Sequence, residues 1–351
     1  MTDPNLRMPA EWEAQSAVQL TWPHEDTDWR PILEEITETY LAMARAIARR
    51  QRLLIVTPDT VGTRRLLEQH LTKEELDNTV LYNCPTDDTW ARDHAFISLV
   101  DRRDRGNIRL LDFCFNGWGR KFEALQDNAI NRRLYEDGMV CGLYEDHLDF
   151  VLEGGAIESD GEGTIFTTSC CLLAPNRNES RFGQQGDLRA VLEQELKQRL
   201  CADRVVWIEH GNLRGDDTDG HIDTLVRVAP GNTLLYVAPG PHDDEQYEGL
   251  AKMEEQLKGL VAPDGSGYRL LPLPMPSPIY DEEGERLPAT YANFLVVNGA
   301  VLCPTYNQPE NDAQALRQIA LAFPGREMIG IDCRSVIRQH GSLHCCTMQY
   351  Y

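Results

Sequence analysis

Short apolar runs dense in β-branched and aromatic residues recur at 17–22, 52–57, 95–100, 108–115, 164–173, 205–209, 224–228, 233–237, 294–297 and 328–332, and each predicts a strand. Between them the period changes to that of a helix. The stretch 31–50 is the clearest, with Ile32, Ile36, Tyr40, Met43, Ala44 and Ile47 on one face and Pro31 near its start. Further helices are predicted over 60–76, 123–135, 187–200, 244–257 and 312–321, several opened by an Asp or Thr able to cap. The class is mixed α/β. The runs 224–228 and 233–237 flank Pro230-Gly231-Asn232 and read as a hairpin, which argues against a simple doubly wound sheet.

The length of 351 residues would allow two domains or one large repetitive one. No low-complexity linker divides the chain, so a single domain over 1–351 is expected, with room for about five or six strand–helix units. The Pro-rich stretch 271–278 is short, and the acidic run 281–285 beside it reads as an exposed loop tip.

A formal net charge of −22 disfavours nucleic acid and anionic membranes as partners and favours cationic ligands, although acidity also serves solubility. Neither a basic n-region followed by an apolar stretch nor a membrane-length apolar run is present, and a cytoplasmic location is expected. The ten cysteines have no secreted-scaffold spacing, and neither Cys-x-x-Cys nor His-Glu-x-x-His occurs.

Polar residues border several strand runs: Trp90-Ala91-Arg92-Asp93, Glu153-Gly154-Gly155, His221-Ile222-Asp223, Asn293 and His344-Cys345. If these strand ends converge, they build one polar site containing a thiol, an imidazole and several carboxylates. Each also has a plainer explanation. Asp93 could pair with Arg92 or cap a turn, and the glycines after Glu153 could serve a turn at positive φ. Strand alternation would put His221 and Asp223 on one face, suiting a site or a solvated edge. A buried cysteine such as Cys345 is commonly an inert small hydrophobe. The acidic run from Gly215 to Asp223 fails as an EF-hand, since Val226 falls where a bidentate Glu is needed, and a guanidinium is a better cationic partner.

Taken in order, Met8-Pro9-Ala10-Glu11-Trp12-Glu13, Thr21-Trp22-Pro23, Asp28-Trp29, Asp88 to Asp93, Asn116-Gly117-Trp118-Gly119, Glu153-Gly154-Gly155, Gly215 to Asp223, Tyr291 to Phe294 and His344-Cys345 resemble the agmatine deiminase family, grouped with bacterial peptidyl-arginine deiminases. The resemblance implies a pentein fold, five ββαβ units about a pseudo-fivefold axis. It implies a hydrolase acting on a small cationic guanidino substrate, with Cys345 as nucleophile, His221 as general acid and base, and Asp93 and Asp223 as clamps. It further implies Trp90, Glu153, Asp217, Asn293 and Trp118 as substrate-binding or supporting residues, no metal or organic cofactor, and a homodimer.

The chain departs from the family at His340-Gly341-Ser342-Leu343, where consecutive glycines are usual, and at Cys346, where an aliphatic residue is common. Agmatine is the expected substrate, because Gly117-Trp118-Gly119 stands where the peptidyl-arginine branch would place arginines, while Arg120 and Lys121 keep an arginine substrate open. An amidinotransferase or dihydrolase could use the same residues, and an inert Cys345 would leave a guanidino-binding protein. A papain-like protease is disfavoured by the C-terminal position of the cysteine.

Overall fold

Strands in this chain fall into five sheets that share one pattern, an antiparallel pair whose second strand continues into a parallel neighbour. The computed structural model describes residues 5–184, 186–242 and 244–351. Ile97–Asp101, Ile108–Cys114 and Leu143–Val151 form the first such set, joined by the short strand Leu6–Arg7. Ile157–Ser159, Thr164–Thr168 and Arg204–Ile208 form the second. Val226–Ala229, Thr233–Val237 and Arg269–Leu273 form the third, and Leu295–Val297, Ala300–Thr305 and Glu327–Asp332 the fourth. In the fifth, Thr347–Tyr350 pairs antiparallel with Ala17–Thr21, which runs parallel to Arg52–Thr57 and through it to Thr79–Asn83.

A parallel step needs a crossover, and a helix supplies it each time. The helices are Ile130–Glu136, Leu188–Arg199, Tyr247–Lys258, Pro309–Ala322 and Leu33–Ala48, in the order of the sheets above, and Thr60–His70 with Lys73–Asp77 serves the second parallel step of the fifth sheet. The predicted helices and hairpin fall close to where the pattern of apolar positions put them, with four local differences. The helix predicted over 123–135 begins only at Ile130, after the 3-10 turn Asp127–Ala129. The 60–76 helix divides into Thr60–His70 and Lys73–Asp77, because Thr72 and Glu75 form a reciprocal capping box that restarts the chain. The 164–173 strand ends at Thr168, whose hydroxyl caps the short helix Ser169–Leu172. The segment Ile222–Thr224 is a 3-10 turn, and the strand begins at Val226, so strand alternation does not govern His221 and Asp223. Among the described residues no helix is long and apolar enough to cross a membrane.

The sheets meet at a buried cation. Arg227, on Val226–Ala229, gives Nε to Glu158 of the neighbouring sheet and Nη2 to Glu11 at 2.7 Å. Its Nη1 donates to the carbonyls of Ala292 and Phe294, and the guanidinium lies 4.4 Å from the Phe294 ring centroid. The two carboxylates are satisfied in turn by backbone donors, Val228 N to Glu158 and Val296 N to Glu11. All three side chains are buried. Breaking such a group on one side leaves uncompensated charge in a low-dielectric interior. Arg227→Met, close in volume but uncharged, is therefore expected to lower unfolding free energy by about 3–5 kcal/mol, measured by urea denaturation; a loss under about 1 kcal/mol, the scale of an exposed ion pair, would contradict this role.

Candidate active site

Cys345 sits in the short 3-10 turn His344–Cys346 that leads into the strand Thr347–Tyr350. Asn293, just ahead of the fourth sheet, holds this turn with one oxygen: Oδ1 accepts from His344 N at 2.8 Å, Cys345 N at 3.3 Å and Cys345 Sγ at 3.4 Å. Burial pushes the Cys345 thiol well above its ordinary range, and the charges of Asp223 and Asp93 push the same way. Each of these effects favours the thiol over the thiolate, and a neighbouring cation would act in the opposite direction.

Two carboxylates beside it are placed in opposite electrostatic states. Asp93 is raised to about 6, first by burial and then by Asp223 and Glu153, against the lowering effect of His221 and of the Trp118 hydrogen bond. It accepts from Trp118 Nε1 at 2.9 Å and from Gly155 N at 3.1 Å. Asp223 is equally buried, and burial alone would raise it, but the hydrogen bond and charge of His344 win and hold it below the usual carboxylate range. His344 Nδ1 lies 2.7 Å from Asp223 Oδ2, and its Nε2 lies 2.8 Å from Glu11 Oε2, so the imidazole joins the site to the Arg227 cluster. Asp223 Oδ1 is buried without a hydrogen-bond partner. An ionised carboxylate with one free oxygen is an acceptor awaiting a donor.

His221 is fully buried, with Nδ1 3.7 Å from Asp93 Oδ1 and no hydrogen bond to either ring nitrogen. Its ring, Asp93 and Asp223 crowd around Gly155. A Cβ there would lie 2.6 Å from His221 Nδ1 and 2.9 Å from Asp93 Oδ1. Gly154 and Gly155 are absent from the positive-φ residues, so the glycines serve close approach and not the turn conformation considered from sequence.

A cavity of about 140 Å³ opens onto Cys345. Asp28, Asp88, Asp93 and Asp217 contribute carboxylates to its lining, Trp90, Trp118 and Phe122 contribute rings, and neither Lys nor Arg lines it. Trp118 reaches Asp93 only because residues 117–120 all have positive φ, with Gly117 and Gly119 flanking the strained Trp118 at φ 54°. At the other wall His340 adopts φ 65°, and a Cβ on Gly341 would strike the Trp90 ring at 2.2 Å. His340 thus takes the left-handed conformation that glycine adopts with least strain.

Of the residues singled out in the sequence, Cys345, Asp93, Trp90, Trp118 and Asp217 line the cavity, Asp217 at a half-exposed rim. His221, Asp223, Glu153 and Asn293 form a buried layer behind it. Glu153 is bound by Arg177, whose Nε lies 3.0 Å from Oε1, while Arg177 Nη1 and Nη2 reach Asp219 Oδ2 and Thr218 O. Sequence reasoning gave Arg177 no role, since an isolated arginine in a loop carries no local signal. Asp88 was likewise unassigned; it receives Trp29 Nε1 and Trp90 Nε1, and burial raises it to about 6. Cys346 faces away from the cavity, its Sγ directed to Ser342 O at 3.4 Å. A larger, more open cleft of about 910 Å³ adjoins the cavity, sharing Asp28, Asp88, Trp118 and Phe122 with it. Cys345 lines the smaller space and not the larger one.

Comparison with known proteins places this arrangement. A Porphyromonas gingivalis structure provisionally described as an arginine deiminase is 48% identical, with TM-score 0.89 and 98% of each chain covered. The C. jejuni agmatine deiminase structure with substrate bound is 36% identical, with TM-score 0.87 over 99% of this chain and 96% of that one. An agmatine deiminase of Pseudomonas aeruginosa (strain LESB58) is 30% identical, covering 98% of this chain and 95% of its own. The model of the Porphyromonas-type peptidyl-arginine deiminases matches residues 7–350, and the chain belongs to that family.

Proposed function

We propose that the protein is an agmatine deiminase, hydrolysing agmatine to N-carbamoylputrescine and ammonia. The observation that carries this reading is the cavity itself: a thiol at its floor, carboxylates along its walls and no cationic side chain of Lys or Arg in its lining. Such a space suits a ligand positive at both ends and disfavours one carrying a carboxylate. We further propose that the five sheets close about a pseudo-fivefold axis in the pentein arrangement, with the site on that axis.

The guanidinium lies between Asp93 and Asp223, its N–H groups meeting their carboxylate oxygens, so that the carbon faces Cys345 Sγ. The cation offsets the two negative charges that hold the thiol protonated. The thiol proton passes to His221, and the sulfur adds to the guanidinium carbon. His221 then delivers that proton to the departing nitrogen, ammonia leaves, and an S-alkylthiouronium remains on Cys345. Water attacks the same carbon as His221 takes its proton. Collapse breaks the carbon–sulfur bond as the hydroxyl proton passes to sulfur, the neutral ureido product leaves, and the proton held by His221 is released to solvent, where the freed ammonia takes it up as ammonium. Asn293 fixes the nucleophile, and Trp90 and Trp118 exclude water.

A peptidyl-arginine substrate is the second reading. The adjoining cleft of about 910 Å³ is lined by Arg120 and Lys121 and could take a chain extending from the cavity. Lys121 Nζ is held by Asp217 O and Asp219 Oδ1 at the rim. Ammonia release from agmatine, free arginine and a peptide ending in arginine decides between them. Agmatine is expected to exceed arginine in kcat/KM by more than about 100-fold, the discrimination available to a site that leaves a charge unpaired; preference for the peptide would move the assignment to the second reading.

Cys345→Ala is expected to retain agmatine binding by calorimetry and to lose turnover by more than about 10³-fold, whereas Cys346→Ala keeps most activity; the reverse pattern would move the nucleophile by one residue. The pH profile follows from Asp93. Its raised value means that the clamp is ionised above about 6 and loses its charge below it. We expect kcat/KM to fall on the acid side with an apparent pKa near 6, and a flat profile down to pH 5 would show that Asp93 is already ionised in the free enzyme.

A further inference from the structure

Around His221 lies a group of buried donors that the proposed reaction uses only in part. A ring nitrogen of His221, the Cys171 thiol and a Glu153 carboxylate oxygen all fall within 4.8 Å of one another. All three residues are fully buried, and neither nitrogen of His221 has a hydrogen-bond partner. Cys171 has no place in the chemistry above. A second hollow, an open cleft of about 930 Å³, is lined by Cys170 and Gly220, the chain neighbours of Cys171 and His221, but not by the three donors themselves. Glu209, Asp216, Asp219, Glu245 and Glu248 outweigh Lys252 in its lining and make it negative.

We propose that Cys171, His221 and Glu153 form an inhibitory site for a divalent transition metal, with Zn²⁺ as the fitting ion. One sulfur, one nitrogen and one carboxylate oxygen are the donor types zinc takes, and three protein ligands leave a fourth position for water. The acidic cleft concentrates the cation one residue away from Cys171 and His221. Binding replaces the Cys171 thiol proton, which is released to solvent, and forms a metal–thiolate bond without oxidation or reduction. Glu153 keeps its contact with Arg177 and offers its remaining lone pairs. Coordination occupies a nitrogen of His221, so the imidazole can no longer relay the proton between thiol, leaving ammonia and water. The metal is a brake and not a requirement of turnover.

This inference rests on His221 as proton carrier for its inhibitory consequence, but not for its binding. Co²⁺ added to the metal-free protein is therefore the first probe, read by thiolate-to-cobalt charge-transfer absorption. The band is expected in the wild type and in Cys345→Ala, and lost in Cys171→Ala and Cys171→Ser. Zn²⁺ is expected to inhibit the wild type, chelator to restore it, and Cys171→Ala to need at least about 100-fold more Zn²⁺, the upper end of what losing even an outer partner of a ligand costs. Cys171→Ser, which preserves volume, serves where the alanine variant fails to fold. A band that survives in Cys171→Ser but vanishes in Cys345→Ala would place the metal on the nucleophile, and absence of any band in the wild type would remove the site; either result overturns the proposal, whatever the substrate proves to be.

Discussion

Arg227 is the charge around which the interior is organised. A buried guanidinium needs its donors satisfied, and its partners come from Glu11, Glu158 and the carbonyls of Ala292 and Phe294, segments scattered across the chain. Satisfying one side chain therefore fixes the strand Ile157–Ser159, the strand Val226–Ala229 and the start of Leu295–Val297 relative to one another. His344 adds the approach to the C-terminal strand through Glu11. Hydrophobic packing holds the sheets together, but it is indifferent to small slides; a hydrogen-bonded ion cluster is not.

The site inherits that precision. Asp223 and Asp93 are both buried, yet the first is ionised through His344 and the second is held near 6. Environment, not residue type, gives two aspartates different protonation behaviour at one pH. The contrast matters for a cationic substrate, because a permanently charged acceptor and a readily protonated one together limit the electrostatic cost of the empty site. Burial, with the same charges behind it, raises the Cys345 thiol.

Close packing of reactive groups has a steric side. Gly155 exists as glycine because His221, Asp93 and Asp223 converge where its Cβ would be, and Gly341 because Trp90 lies against it. Gly117 and Gly119 do different work, allowing four successive left-handed residues to turn the Trp118 indole towards Asp93. The proposed metal group around His221 belongs to the same economy of space: a buried imidazole with both nitrogens free is available to a proton or to a cation.

Much of this was legible in the sequence. Apolar periodicity located the crossover helices and the strands Ala17–Thr21, Arg52–Thr57 and Thr233–Val237, because burial of one face is a local property of the pattern. Motif order identified Cys345, His221, Asp93 and Asp223 as a set to be brought together. Other strands escaped: Leu143–Val151 is rich in polar residues and mostly half-buried, Arg269–Leu273 runs into a proline-rich stretch, and Thr347–Tyr350 becomes a strand by pairing with residues over 320 positions away. Arg177, the role of His344 as a bridge, and the difference between Asp93 and Asp223 escaped for one physical reason. Sequence determined the chemical groups and the local rhythm of helix and strand, but hydrogen-bond partners, desolvation and charge coupling act across space, and only the tertiary structure decided which of the buried groups would be neighbours.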